Sequence, residues 1–232
     1  MTAPLSLVHM IREPVRGSNP ADARPPLLLL LHGVGSNERS MASLAPAFDP
    51  RFLVVSARSP LSLGLDAFGW FHVTFSAQGP VINGAEAAAG WAHVARFIDE
   101  LVQAYGADAA RVYVAGFSQG GIMALATLLT APERIAGAVM MSGRLLPEVL
   151  PHTAPVASLR EKPLLIVHGG ADEVLGIHFA RDARKHLASL PLALTYTELP
   201  MGHQVTQESL AAASTWLTAL LERARAPAPV RS

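Results

Sequence analysis

The sequence predicts an α/β fold in which a mostly parallel central sheet carries helices on both faces. Three observations point there. Short apolar runs recur along the chain, several of them continuous, as strands covered on both faces require. Segments with helical periodicity lie between those runs. Apolar residues make up 50% of the 232 positions and charged residues only 16%, enough for a large core. A single domain over 1–232 is expected, because α/β folds of this size are routinely undivided.

Taken in order, the apolar runs at 5–11, 27–31 and 52–57 read as the first strands. Residues 60–84 follow, long and poorly periodic, with Gly64, Gly69 and Gly79 beside Phe68, Trp70, Phe71 and Phe75. A long aromatic loop in a compact domain is more often functional than not. The clearest helix is 85–105: Trp91, Val94, Ile98, Leu101 and Tyr105 recur at three- and four-residue steps along one face. Asn83 and Glu86 form an N-terminal capping pair, and Gly106 stops the helix.

A strand at 112–115 then runs into Gly116-Phe117-Ser118-Gln119-Gly120-Gly121, and a helix over 119–130 closes at Pro132. Further strands are expected at 135–141, 164–167 and 192–199, the last mixed enough to be an edge strand. Helices are expected at 177–190, stopped by Pro191, and at 206–223. Residues 224–232 form a short, Pro-rich tail expected to be loose.

Composition narrows the function classes. Lys plus Arg and Asp plus Glu both number 18, and no basic stripe stands out, so no nucleic-acid partner is expected. The chain has no cysteine, which excludes disulfides, thiolate metal sites and a thiol nucleophile, and fits a reducing, cytoplasmic setting. The first residues lack a basic start followed by a long apolar core, so no signal peptide is expected. The longest fully apolar run, 27–31, is far too short for stable membrane insertion.

The chemistry centres on Ser118. Gly-x-Ser-x-Gly between a strand and a helix is the pattern of a nucleophile elbow. A serine at the tip of so sharp a turn has a strained backbone, and the residues two positions either side lie almost against it. A Cβ at Gly116 or Gly120 would clash. The helix that follows aims its N-terminus at the site, where free N–H groups and the dipole favour negative charge, so the N–H of Gln119 can hold an oxyanion. The bland alternative is a Gly-rich turn with a serine in it by chance.

A serine hydroxyl needs a base, and in this arrangement the chain order is serine, acid, histidine. His203, after a late strand and before the last helix, satisfies that order, and Gly202 is expected to leave room for backbone near its ring. His178 and His186 fall inside a helical pattern and read as solvated. His168 precedes the acid and breaks the order. Asp172, in His168-Gly169-Gly170-Ala171-Asp172, stands just past a strand end, where it can hold the imidazole tautomer; an N-cap role is the competing reading. The second oxyanion donor is expected from the loop after an early strand: the N–H of Val34, with Gly33 and Gly35 letting the chain bend inward and His32 bracing the loop.

Together these residues resemble the phospholipase/carboxylesterase family of α/β-hydrolases, the group that includes acyl-protein thioesterases. The likeness rests on LHGVGSN, SARSP at 56–60, Gly69-Trp70-Phe71, GFSQGG, Met141-Ser142-Gly143, HGGADE and Gly202-His203, in order along nearly the whole chain. It implies an α/β-hydrolase fold without a large cap domain. It implies a serine esterase acting on small acyl esters, lysophospholipids or acyl thioesters through an acyl-enzyme, with no cofactor or metal, and often a homodimer. The family's triad falls on Ser118, Asp172 and His203, and its backbone donors on Val34 and Gln119. The aromatic loop resembles the family's acyl-pocket wall, which makes Leu65, Trp70 and Phe71 candidate substrate contacts; ordinary loop packing is the alternative. Two stretches depart from the family pattern. Val174-Leu175-Gly176 follows the acid where related sequences often carry Val-Val-Pro or Val-Ile-Pro, and Arg144 stands where an aromatic is common. A dienelactone hydrolase-like enzyme is disfavoured by the absence of cysteine, a ligand-binding receptor by the intact triad residues, and a peptidase by the lack of a gating domain.

Overall fold

The computed structural model describes residues 4–20, 23–76 and 79–223. The tail expected at 224–232 lies outside them. The first three strands are β1 (His9–Arg12), β2 (Leu27–Leu31) and β3 (Leu53–Ala57), with the short helix α1 (Glu38–Ala42) after β2. Residues 61–82 form β4 (Leu61–Gly64), β5 (Ala67–Gly69), β6 (Val73–Ser76) and β7 (Gly79–Ile82). The long helix α2 (Gly84–Tyr105) leads to β8 (Val112–Phe117), α3 (Gln119–Thr130) and β9 (Gly137–Met141). The chain closes with β10 (Pro163–Gly169), α4 (Ile177–Leu187), β11 (Ala193–Leu199) and α5 (Gln207–Arg223).

Seven strands form the central sheet in the order β1-β3-β2-β8-β9-β10-β11. Only β1 is antiparallel, paired with β3; every other neighbouring pair is parallel. The continuous apolar runs are explained by burial on both faces. All five leucines of β2 are fully shielded. Leu27, Leu29 and Leu31 face a core shared with α2, α3 and α4, whereas Leu28 and Leu30 face a second core shared with α1 and α5. Both β1 and β11 are edges; β1 spans only the end of its apolar run, and Met10 and Ile11 within it are exposed, as an edge strand allows.

The helix boundaries follow local chemistry. Asn83 caps α2 by accepting the Glu86 N–H at 3.2 Å, and Gly106, at φ 62°, takes the left-handed conformation that ends it. The Glu86 carboxylate accepts from the His72 backbone N–H and contacts the His72 ring. Helix α4 ends at Leu187, before the proline expected to stop it.

The 60–84 segment differs from the expected irregular loop. It contains two small antiparallel hairpins, β4–β5 and β6–β7, separate from the main sheet. Strands of three or four residues are too short for alternation to show in sequence, and β4–β5 carries a register shift besides.

Candidate active site

Four loops leave the C-terminal edge of the parallel strands and converge, as open α/β sheets arrange their sites. The loop after β8 carries Ser118, the loop after β10 Asp172, the loop after β11 His203, and the loop after β2 Gly33 and Val34.

Ser118 has φ 54° and ψ −119°, a strained conformation for a residue with a side chain. Its surroundings explain how the strain persists. A Cβ on Gly116 would come within 2.2 Å of the Gly120 backbone, and a Cβ on Gly120 within 2.1 Å of the Leu31 carbonyl oxygen. The elbow is therefore wedged against β2 at a separation that only glycine permits. The Ser118 N–H is held by the Met141 carbonyl at 2.9 Å, and its carbonyl accepts from the Ile122 N–H at 3.0 Å, within the first turn of α3.

His203 bridges the serine and the acid. Its Nε2 lies 2.9 Å from Ser118 Oγ and its Nδ1 2.7 Å from Asp172 Oδ2. With Nδ1–H donated to the carboxylate, Nε2 is left as an acceptor toward the hydroxyl. The Phe117 ring packs beside the imidazole, 4.9 Å between centroids. The Asp172 side chain is fully shielded. Its Oδ1 accepts the backbone N–H groups of Val174 at 3.0 Å and Leu175 at 2.8 Å. Asp172 therefore organises its own turn while its second oxygen faces His203, and the cap of α4 is Gly176 instead.

The room for this loop comes from a glycine that sequence reasoning passed over. A Cβ on Gly169 would meet the Met201 carbonyl oxygen at 2.3 Å, whereas one on Gly202 would find only ordinary contact at 3.8 Å. The close approach expected at Gly202 thus belongs to Gly169. His168 lies behind the acid, buried, its Nε2–H donated to the Leu175 carbonyl at 2.7 Å and 3.4 Å from Asp172 Oδ2. Burial lowers its pKa and favours the neutral ring. His178 and His186 are exposed.

His32 braces the loop after β2, as its position suggested. Its Nδ1 bonds the Gly33 carbonyl at 2.8 Å, and its Nε2 accepts the Ser59 N–H at 3.0 Å. That assigns the proton to Nδ1, and burial again lowers the pKa. The carboxylate of Glu38 supports the same corner. It receives both arms of the Arg58 guanidinium at 2.6 Å, which lowers its pKa.

Gln119 has a second structural role that its backbone N–H did not foretell. Its side chain is buried, accepts the Trp70 N–H at 2.7 Å and donates to the Phe71 carbonyl at 2.7 Å. The elbow thereby clips the aromatic segment onto the site. Trp70 is also buried, its indole N–H donating to the His32 carbonyl at 3.1 Å.

A cleft of about 300 Å³ opens over Ser118 and His203. Phe71, Val73, Ile82, Ile122 and Arg144 are among its walls, and Val34 and Gln119 border it. The three expected substrate contacts thus divide. Phe71 lines the cleft. Trp70 does not, because both its N–H groups are anchored behind the wall. Leu65 does not either: it sits between β4 and β5 beside Asp66, whose φ of 57° makes the tight turn, and is fully exposed. No cluster of metal-ligating side chains occurs among the described residues.

Fold and elbow together define an α/β-hydrolase. The family model described as Phospholipase/Carboxylesterase matches residues 16–221. Acyl-protein thioesterase 1 of Neurospora crassa is 27% identical over 86% of this chain and 93% of its own length. Esterase YpfH of Escherichia coli is 31% identical over 79% of this chain and 78% of its own. The crystal structure of esterase PE8 superposes with a TM-score of 0.79 at 24% identity, covering 92% of this chain and 99% of that one, which shows a shared fold. The chain belongs to the phospholipase/carboxylesterase family and is a serine hydrolase of that class.

Proposed function

We propose that the protein hydrolyses small carboxylic esters through a Ser118-His203-Asp172 triad, with the N–H groups of Val34 and Gln119 as the oxyanion hole. The observation that carries this reading is the imidazole of His203, set between the hydroxyl at 2.9 Å and the carboxylate at 2.7 Å. His203 takes the hydroxyl proton as Ser118 Oγ forms a bond to the acyl carbon. The tetrahedral oxyanion is held by the two N–H groups; that of Gln119 is in the first turn of α3, where no intrahelical acceptor exists. As the bond to the leaving alkoxide breaks, His203 returns the proton to it. Water, deprotonated by the same ring, then attacks the acyl-enzyme and releases the acid and Ser118.

A cleft of about 300 Å³ is at the small end for ligand sites, which favours short acyl groups over long-chain lysophospholipids or acyl thioesters. Turnover of a p-nitrophenyl ester series from acetyl to palmitoyl tests this. The expected kcat/KM peaks at short chains and falls by at least about 10⁴-fold in kcat for Ser118→Ala, which also loses labelling by a fluorophosphonate. Full activity in that variant, or labelling elsewhere, would overturn the triad. A ligand-binding role without turnover is the second reading, and an unlabelled Ser118 in the wild-type protein would favour it.

A further inference from the structure

Arg144 is the charged wall of an otherwise apolar cleft. Apart from Ser118, Gln119 and His203, its companions there are glycine, proline, aliphatic and phenylalanine side chains. Arg144 follows β9 by way of Ser142 and Gly143 and is half-buried. Among the described residues its guanidinium makes one long hydrogen bond, Nη2 to the Pro80 carbonyl at 3.4 Å, and it lies 5.4 Å from the Phe179 ring centroid. Among the described residues those contacts leave most of its five donors unused.

Other shielded arginines of this chain behave differently. Arg51, Arg58, Arg111 and Arg134 each hold a carboxylate at 2.6–3.0 Å, and Arg12, which also has no ion pair among the described residues, donates to the Phe48, Asp49 and Pro50 carbonyls. Arg144 makes no such ion pair among the described residues. Glu148 is near enough to be felt electrostatically but makes no bond to it, and desolvation dominates, lowering the Arg144 pKa. A partly desolvated cation without an anionic partner is costly unless something supplies one.

We propose that Arg144 recognises a carboxylate on the substrate, so that the preferred esters carry a free carboxylate a few bonds from the scissile carbonyl. The inference rests on reading this cleft as an esterase site. A planar guanidinium with free donors binds a carboxylate through two parallel hydrogen bonds, and the apolar walls around it strengthen them. The carboxylate can belong to the acyl half, as in half-esters of dicarboxylic acids, or to the alcohol half, as in acylated hydroxy acids.

Two matched pairs distinguish these sources: monomethyl glutarate against methyl pentanoate, and 4-acetoxybutanoate against butyl acetate. In the wild-type protein, kcat/KM favours the anionic member of one pair. Arg144→Met lowers that anionic-to-neutral ratio by about ten- to a hundredfold, the scale of a charge-assisted bond pair, while Arg144→Lys, which keeps the charge but not the fork, lowers it less. The pair whose ratio moves identifies the half that bears the carboxylate. Should the Met variant not fold, Arg144→Gln gives the same reading. A ratio unchanged in both pairs overturns the proposal while leaving the esterase reading intact. If no ester of either pair, anionic or neutral, is hydrolysed, the esterase reading fails, and glutarate binding decides the role of Arg144. A glutarate-induced rise in Tm for the wild type, lost in Arg144→Met, supports carboxylate recognition; no rise in the wild type overturns it.

Discussion

The elbow around Ser118 and the twin hairpins of residues 61–82 meet at one cleft but are held in opposite ways. At the elbow, backbone meets backbone: Gly116, Gly120 and the Leu31 carbonyl are so close that a single methyl group cannot fit. The hairpins are small, stand apart from the main sheet, and are tied to the elbow by side chains, above all Gln119. The first region is fixed by what glycine lacks. The second depends on what particular polar groups reach, and is correspondingly easier to vary.

The largest effect expected from breaking this contrast lies at the elbow. Gly120→Ala places a Cβ 2.1 Å from the Leu31 carbonyl, with backbone on both sides and no flexible side chain to yield. The loss should exceed about 4 kcal/mol, a large part of the 5–15 kcal/mol that a domain of this kind commands. Chemical denaturation monitored by circular dichroism measures it; a variant within 1 kcal/mol of wild type would mean that the elbow relaxes freely.

Next comes the clip between the two regions. Gln119→Ala keeps the backbone N–H of the proposed oxyanion hole but strands the Trp70 N–H and the Phe71 carbonyl in a buried setting. At about 1–3 kcal/mol for each of the two unsatisfied groups, a loss of at least about 2 kcal/mol is expected. Ester turnover should fall with it, chiefly through KM, because the Phe71 wall is no longer held. Unchanged stability would show that the hairpins are carried without Gln119, by their apolar contacts, the Phe68 backbone bonds to Gly35 and Ser36 and the Arg39–Asp66 pair.

The same division governs what could be read from sequence. Ser118, Asp172 and His203 were legible because strand-end motifs and chain order constrain them, and the glycines at 116 and 120 announce a steric need that no other residue meets. The sheet was legible because continuous runs such as Leu27–Leu31 have few other uses. The hairpins were not. Their strands are too short for a period to emerge, and the bonds from Gln119 to Trp70 and Phe71 join residues 49 and 48 positions apart. Nothing local marks that glutamine side chain as a clip. Gly169 was missed for a related reason: the Met201 backbone it accommodates belongs to a different strand connection, and its motif drew attention to the acid.

A smaller effect separates the regions by pH. His32 supports the loop after β2 and His168 backs Asp172; burial lowers both pKa values, as it does for the part-buried His93. An unfolded imidazole binds its proton near pH 6.5, whereas these folded rings resist it. Their stabilisation is therefore present above about pH 6.5 and is lost as pH falls from there toward their lowered folded values. The slope is up to about 1.4 kcal/mol per pH unit for each ring. Between about pH 4.5 and 6.5 the depressed carboxylates, such as Glu38, add little, so the histidines dominate the window. Urea titrations at pH 7 and pH 5 should show the loss, and His168→Asn should flatten it by one ring's share. A flat profile in the wild-type protein would remove these histidines from the stability of the strand-end loops.

The smallest effect is expected at Leu65, and it sharpens the comparison most finely. A large apolar side chain in an aromatic segment beside a substrate cleft invites a role in binding. Here it is fully exposed beside the tight turn at Asp66, and Arg39 pairs with Asp66 to hold that turn to α1. Removing the leucine side chain leaves that pair and the Phe71 wall untouched. Leu65→Ser should therefore change stability by no more than about 0.5 kcal/mol, the range of ordinary surface substitutions. Turnover of short esters should stay within about twofold, because a difference of 0.4 kcal/mol is already a twofold rate change. A loss confined to long-chain esters would have a different meaning: the hairpin tip would touch the far end of an extended acyl group, and the cleft would continue beyond Phe71 across the β4–β5 surface.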